Sequence, residues 1–458
     1  MVLQENIAAI STPSGVGGVA IIRISGENPL AILSQMFRPA CGIAVERFQP
    51  FRMYTGTILA EGFEDHGMAV FFRSPKSYTG ENVVEIHCHG GVAIQRGVLE
   101  RCLALGCRLA TRGEFTRRAF LNGKLSLSSS EGLIDMIHAE SRAGVAAGYA
   151  LYREKLYEQI ESIRKDLTFA LAQIDVQIDY PEEGVEEVTA EETHSALQKA
   201  ITALTALAAT YRSGSMIKNG VKVALCGRPN TGKSSLLNAL LGREKAIVTE
   251  IAGTTRDVVE GDTELAGVTF RFSDTAGIRE SEDRVERLGV DRSKKVAENA
   301  DILLFLTETP MEEEDAELIA LATACKAAGE KVIVVVNKSD LGGAEQTATT
   351  YKNAFDTVLT LSAKTGEGLQ ALKTVLTEYA ASGKIDSELA YLTERRHFDV
   401  IEETRLMLQN ALSGVGILPI DLLAADLTEA WKKLGEITGA TAPEEVIDEI
   451  FDKFCVGK

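Results

Sequence analysis

The sequence predicts a multidomain chain of mixed α/β and α class: a compact α+β domain, a helical stretch, a parallel sheet flanked by helices, and a second helical stretch. Three observations predict it. Its 458 residues suffice for two to four domains of roughly 100–200 residues. A series of apolar runs, each closed by a polar signature, reads as buried parallel strands. On both sides of that series, apolar residues recur at helical spacing. Apolar residues make up 45% and charged residues 25%, an ordinary globular mixture that excludes wholesale disorder and collagen-like or low-complexity structure.

From residue 6 to 120, short β-like runs (19–24, 67–72 and 83–87) alternate with Gly/Pro turns and one helical stretch near 94–105. From there the period changes. Tyr152, Leu156, Ile160, Ile163, Leu167, Leu171, Ile174 and Ile178 recur three or four apart, predicting one long amphipathic helix stopped by Pro181. A second stripe of Leu197, Ile201, Leu204, Leu207 and Tyr211 follows an acidic turn. After Gly220 come the apolar runs 221–226, 268–272, 302–306, 332–336 and 358–361, and from 388 onward Leu422, Leu423, Leu427, Trp431 and Leu434 return to a helical period.

Charge limits the partners. The 48 basic and 66 acidic residues leave −18, so the chain has no global electrostatic reason to coat nucleic acid or an anionic membrane, and contact with RNA requires a local patch. Residues 1–10 carry Glu5 and no basic run, and no segment approaches the roughly 18 apolar residues of a membrane span, which predicts a soluble, cytoplasmic protein with no membrane contact. The seven cysteines (Cys41, Cys88, Cys102, Cys107, Cys226, Cys325 and Cys455) are odd in number and form no Cys-x-x-Cys pair, as expected of reduced thiols.

The chemistry concentrates where strands end. Gly227-Arg228-Pro229-Asn230-Thr231-Gly232-Lys233-Ser234-Ser235 fits the phosphate-binding loop G-x-x-x-x-G-K-[ST], between a strand and a helix predicted at 235–241. Its glycines let backbone N–H groups curl around a β-phosphate; Lys233 supplies a point charge for the β- and γ-phosphates, and the Ser234 hydroxyl can ligate Mg²⁺. Asp274-Thr275-Ala276-Gly277 closes the run 268–272, with a carboxylate for the Mg²⁺ shell and a glycine N–H for the γ-phosphate. Asn337-Lys338-Ser339-Asp340 resembles the N-K-x-D of GTPases, whose carboxylate accepts two N–H donors of guanine. Adenine lacks that pair, so GTP is favoured over ATP. Ser362-Ala363-Lys364 completes the set as in those enzymes, with a backbone donor for the guanine oxygen. Gly253-Thr254-Thr255-Arg256-Asp257 resembles the first switch of translation-factor-like GTPases, in which Thr255 would complete the Mg²⁺ shell.

Ras-like enzymes orient the attacking water with a Gln after D-x-x-G, but Ile278 stands there in this chain and cannot do so. The loop form, the G-T-T-R-D switch and Ile278 together look like GTPases that bind K⁺ beside the phosphates and are activated by dimerisation of their G domains. That resemblance implies Asn230 as a side-chain K⁺ ligand, carbonyls around Thr249, Ile251 and Thr254 as further ligands, and Glu286 as the catalytic glutamate that positions water. Without the resemblance, Glu286 between Arg284 and Arg287 reads as a solvated helix face, and Arg256 and Arg279 as surface charges or contacts across a dimer.

The flanking segments carry a more specific likeness. Gly15-Val16-Gly17-Gly18 with Arg23, the run from Ser77 to Glu85, His89-Gly90-Gly91, the run from Arg112 to Lys124, and Phe454-Cys455-Val456-Gly457-Lys458 resemble the MnmE (TrmE) family of tRNA-modification GTPases nearly end to end. The resemblance implies a folate-binding-like, dimerising α+β domain at 1–120, a helical domain formed from 121–215 and 383–458, and a P-loop GTPase domain at 216–382 inserted between them. It also implies work with the flavoprotein MnmG on the wobble uridine of certain tRNAs, forming a 5-carboxymethylaminomethyl or aminomethyl group from a tetrahydrofolate one-carbon unit. Arg23, Glu85, Lys124 and Lys458 match the folate-contacting positions, and Cys455 the family's C-terminal cysteine, with a catalytic part held as a hypothesis. Val456 stands where the family usually has Ile.

Competing readings are a ribosome-assembly switch and a one-carbon transferase with a regulatory G domain. The former normally adds an RNA module such as a KH domain, and none with a basic face is evident. Gly15-x-Gly17-x-x-Ala20 satisfies a loose dinucleotide fingerprint, but the following residues read as a strand where a helix is required. His87 and His89 face one side of a strand and could pair on a metal with Cys102 or Cys107, although a half-buried strand or turn accounts for them better. The ending Cys-Val-Gly-Lys fits a prenylation box poorly.

Overall fold

Alternation of apolar and polar residues builds the first sheet. A computed structural model describes residues 5–179, 190–242, 260–274, 300–311, 316–381 and 391–458. They fall into two compact units, one of Met1–Ile134, Tyr149–Thr205 and Asp399–Lys458, the other of Asp135–Gly148 and Ala206–Phe398. In the first unit, β1 (Ile7–Ile10), β2 (Gly17–Gly26), β3 (Phe37–Pro39), β4 (Met53–Leu59), β5 (Glu64–Phe72), β6 (Asn82–Gly90) and β7 (Arg108–Leu109) form a sheet in the order β3-β4-β5-β6-β2-β1-β7. Neighbours are antiparallel except β1 and β7.

Ala20, Ile22 and Ile24 of β2 and Val84, Ile86 and Cys88 of β6 turn to one face, where Leu33, Met36, Val98 and Cys102 of the helices Pro29–Met36 and Val92–Ala104 cover them. Ile21, Arg23, Glu85, His87 and His89 therefore share the opposite face, because successive side chains alternate. The cysteines pack among core residues on one side and the two histidines on the other. Both histidines thus lie on a strand, the reading preferred over a metal pair: His87 turns to Glu85 and His89 to Asp65, and among the described residues no group of three potential ligands could hold an ion. Residues 20–24 are strand, as the dinucleotide fingerprint does not allow.

The long stripe is helical but starts later than its period suggests. Leu156, Ile160, Ile163, Leu167 and Ile174 are buried along the helix Lys155–Asp179. Tyr152 instead ends the preceding helix Arg142–Tyr152, since Glu154 sits at φ 64° and breaks the run. Tyr211 likewise opens Tyr211–Asn219 and does not continue Ala190–Ala209. The helix Lys155–Asp179 lies antiparallel to Ile420–Thr438: the Thr438 hydroxyl reaches Glu161, and Arg164 donates to the Trp431 carbonyl at 3.3 Å with its guanidinium 4.1 Å from the Trp431 ring centre.

In the second unit, β8 (Val221–Gly227), β9 (Glu260–Leu265), β10 (Val268–Asp274), β11 (Ile302–Thr307), β12 (Lys331–Val336) and β13 (Val358–Thr360) follow the order β13-β12-β11-β8-β10-β9. All neighbours are parallel except β9 and β10. Both faces are covered, which is why the strands read as unbroken apolar runs. Val223, Leu225, Leu304 and Val335 pack with Leu236, Leu240 and Leu372 on one side. Ala224, Phe305 and Val334 pack with Leu321, Cys325 and Tyr351 on the other. The antiparallel edge β9 was not foreseen, because Glu-Gly-Asp-Thr-Glu-Leu carries no apolar run.

A buried ion network holds the segment after the first sheet. The Arg118 guanidinium, 2% exposed, donates to Glu114, Glu81 and the Glu5 carbonyl, while Arg108 makes two bonds to Glu114. Burial pushes the Glu114 carboxyl up, but the Arg108 bond, the Thr111 N–H and Arg118 outweigh it and hold the group down to about 2. Protonation therefore opposes folding. Stability on the order of 3 kcal/mol is present above the ordinary glutamate range and is lost as pH falls from about 4.5 to about 2. Denaturant unfolding followed between pH 7 and 3 should show that loss in the wild type. Glu114→Gln should be less stable at neutral pH and flatter below pH 4.5, and parallel profiles would remove the network from this role.

Candidate functional site

The second sheet reverses its strand order at β8, with β10 and β9 on one side and β11, β12 and β13 on the other, so the loop after β8 opens at a switch point of the C-terminal edge. The helix Lys233–Leu241 begins directly after this loop, with Gly232 at φ 92° before it. A Cβ on Gly232 would lie 2.3 Å from Asn337 Nδ2, so no larger residue fits. Lys233 is buried, and its Nζ donates to the Gly227 and Arg228 carbonyls at 2.8 Å each, which fixes the ammonium over the loop. The Thr231 hydroxyl closes the turn on the Arg228 carbonyl at 2.9 Å. Asn230 is exposed at φ 65°, a left-handed position that asparagine tolerates. Ser234 and Ser235 are exposed in the first helical turn. A helix N-terminus, a fixed cation and a hard oxygen donor make this an anion site suited to a phosphate chain with Mg²⁺.

Asn337 ties the loop to the other end of the crevice. Its Nδ2 donates to the Thr231 carbonyl at 2.7 Å, and its Oδ1 accepts from the Ala363 N–H at 2.9 Å. The Ser339 N–H adds a bond to the Leu361 carbonyl. Lys338, at φ 60°, pairs with Glu308. Asp340 is exposed; the Ser362 hydroxyl, with Lys364 and Lys338 nearby, holds its carboxyl below the ordinary range and hence ionised as an acceptor. Ser362 is buried and caps its own turn by accepting from the Thr365 N–H.

The structure thus brings Thr231, Gly232, Lys233, Asn337, Lys338, Asp340, Ser362, Ala363 and Lys364 to one edge of the sheet. Asp274 closes β10 opposite Leu225, beside the start of the loop, and only its backbone is described. Thr249, Ile251, Thr254, Thr255, Thr275, Ala276, Gly277 and Glu286, with Arg256, Ile278 and Arg279, lie outside the described residues.

A second constellation occupies the open face of the first sheet. Arg23 Nη2 lies 2.8 Å from Glu85 Oε1, and the guanidinium sits 5.2 Å from the Tyr78 ring centre and 5.7 Å from that of Phe115. Burial pushes Glu85 up, yet His87 and Arg23 leave it lowered. Glu85 Oε2 faces His87 Nε2 at 3.5 Å. Lys124 is exposed, with its stem against Gly80. Lys458 and the exposed Cys455 belong to a segment locked onto the same unit: the Ser11 hydroxyl donates to the Gly457 carbonyl at 3.0 Å, and Val456 bridges to Arg112. Gly457, at φ 101°, leaves no room for a Cβ, which would stand 2.1 Å from the Ile10 carbonyl oxygen. Sequence reasoning missed Phe115, Ser11 and His87 as partners of these groups. Tyr78, Arg112 and Phe115 lie inside motifs it quoted, but without a role.

Asn337→Ala removes both bonds and strands two backbone groups, each costing about 1–3 kcal/mol. Nucleoside triphosphate affinity measured by titration should fall about 10- to 100-fold, although the substituted atoms belong to the join between the two loops. Unchanged affinity would show that the join does not matter to the loop.

Two families match the chain: the one described as the MnmE helical domain over residues 127–455, and the GTP-binding protein TrmE N-terminus over 6–124. The "tRNA modification GTPase MnmE" of Lactobacillus delbrueckii subsp. bulgaricus is 39% identical over 99% of this chain and 98% of that protein. That of Carboxydothermus hydrogenoformans is 39% identical over the whole of both. Among solved structures, the G domain of the T. maritima FeoB iron transporter aligns with 35% of this chain and 98% of its own, at 31% identity and a TM-score of 0.27. On its full-length match, the chain belongs to the MnmE family of tRNA modification GTPases.

Proposed function

We propose that this protein hydrolyses GTP in the modification of the wobble uridine of certain tRNAs. The observation that carries the reading is the crevice in which Asn337 joins a phosphate-binding loop to a guanine-type reader, in a chain matched end to end by MnmE relatives. Lys233 and the N-terminus of its helix hold the phosphates, Ser234 and Thr255 serve Mg²⁺, and Asp340 with a backbone donor of the Ser362-Ala363-Lys364 turn reads the base. Asp274, Thr275, Ala276 and Gly277 border the γ-phosphate. Asn230, with carbonyls at Thr249, Ile251 and Thr254, holds K⁺, which would stand where other GTPases place an arginine. Glu286 positions the water.

In the same reading, 1–120 is a dimerising domain that takes a 5-formyl- or methylene-tetrahydrofolate on the face carrying Arg23 and Glu85. A carboxylate suits the pterin's N–H donors, and Lys124 and Lys458 suit the glutamyl tail. The helical domain comprises 121–215 and 383–458, and the G domain 216–382. A homodimer works with the flavoprotein MnmG, in the cytoplasm, to form the 5-carboxymethylaminomethyl or aminomethyl group, with Cys455 as a candidate participant. Among the described residues no helix is long and apolar enough to cross a membrane.

Mass spectrometry of tRNA from cells lacking the protein should show wobble uridines without the C5 substituent. Normal modification there would overturn the reading. GTP turnover should be faster in K⁺ than in Na⁺ by one or more orders of magnitude, against the roughly 10³–10⁵ that an arginine finger supplies. Equal rates in the two salts would remove the potassium site.

A further inference from the structure

The far end of the helical pair in the first unit is apolar, acidic and without cations. Because Lys155–Asp179 and Ile420–Thr438 run antiparallel with Arg164 at Trp431, the turn before Ile420 lies level with the last turn of Lys155–Asp179, at 1.5 Å per residue. At that level Ile417, Leu418, Ile420 and Leu422 are 80%, 43%, 37% and 52% exposed, and Val176 and Ile178 are 39% and 40% exposed. The turn itself is well made. The Ile417 and Leu418 N–H groups donate to the Gly414 carbonyl, and those of Leu422 and Leu423 to the Pro419 carbonyl. A Cβ on Gly414 would stand 2.5 Å from Leu418 Cδ1, so this glycine lets Leu418 seat on the helix end. Ordered backbone thus holds apolar side chains out in water, the mark of an interaction surface.

Charge selects the occupant. Residues 406–429 contain Asp421, Asp426 and Glu429 and no Lys or Arg; residues 168–178 contain Asp175 and again no Lys or Arg. All four carboxylates are exposed. RNA and an anionic bilayer are repelled by such a rim, and a second copy presenting the same face would set like charges against each other. We propose that this surface docks a protein partner through an amphipathic helix whose apolar stripe is bordered by Lys and Arg. The stripe covers the exposed apolar side chains of Ile417 to Leu422, and the basic borders meet the carboxylates. Resting on the function proposed above, that partner is the flavoprotein.

The test uses the full chain and the purified flavoprotein, with affinity and association rate measured at low and high salt. Ile417→Asp combined with Leu422→Asp should weaken binding about 30-fold or more, the weight of a hot-spot residue, and leave thermal stability and GTP turnover as in the wild type. Asp421→Asn combined with Asp426→Asn should slow association and flatten its salt dependence. Wild-type affinity in the first variant overturns the docking surface and leaves the partnership standing. Failure of the unaltered chain to bind the flavoprotein overturns the partnership and the dock together. Self-association abolished by the first variant, or binding of the unaltered chain to phosphatidylglycerol vesicles that the variant loses, overturns the assignment to a heterologous helix.

Discussion

Segments hundreds of residues apart in the chain must close on each other before the first unit exists. Its outer parts, Met1–Ile134 and Asp399–Lys458, flank the whole of Ala206–Phe398. The closure is made by particular contacts: Ser11 to Gly457, Arg112 to Val456, and Arg164 to Trp431. Closure entropy grows only slowly with loop length, by about 0.6 kcal/mol for each doubling, so a large insertion adds little once the contacts are good. The buried stripe of Lys155–Asp179 and the packing of Phe454 with Phe451 supply apolar area that offsets the ordering cost.

The two chemical constellations use their sheets differently. In the second unit the strands are a scaffold buried on both faces, and function sits where they stop, in loops aimed by β8, β12 and β13. In the first unit the polar constellation lies on a sheet face, because the antiparallel sheet buries only one side under the helices Pro29–Met36 and Val92–Ala104. Arg23 is held there by ion pairing to Glu85 and by two aromatic faces, so a cation and an anion stand side by side with little freedom to reorient.

Much of this was legible in the sequence, for identifiable reasons. The apolar runs before Gly227, Asn337 and Ser362 are strands within a residue or two of where their composition places them; burial leaves the first two an unbroken apolar signature, and the half-buried edge strand Val358–Thr360 a shorter one. The break at Glu154 escaped notice, since a left-handed glutamate has no compositional mark and Tyr152 happens to fall on the helical period. The edge strand β9 escaped because its residues are polar. The pairing of Arg23 with Glu85 depends on strand register, and that of Ser11 with Gly457 on closure over 446 positions; neither leaves a local trace. The family resemblance supplied Arg23, Glu85, Lys124 and Lys458 as a group, but not the contacts that position them.

The double bond of Asn337 has a consequence for discrimination between nucleotides. Since one amide spans the phosphate loop and the base loop, the two are not independent binding elements, and their contributions should not add. Under the proposed reading, a nucleotide with the wrong base would forfeit its contacts to Asp340 and leave Ala363, and through Asn337 the Thr231 carbonyl, less firmly placed. Errors of base identity are thereby carried to the loop that must hold the phosphates for reaction. Selectivity then appears in turnover as well as in affinity, which a reader standing apart from the phosphate loop would not achieve.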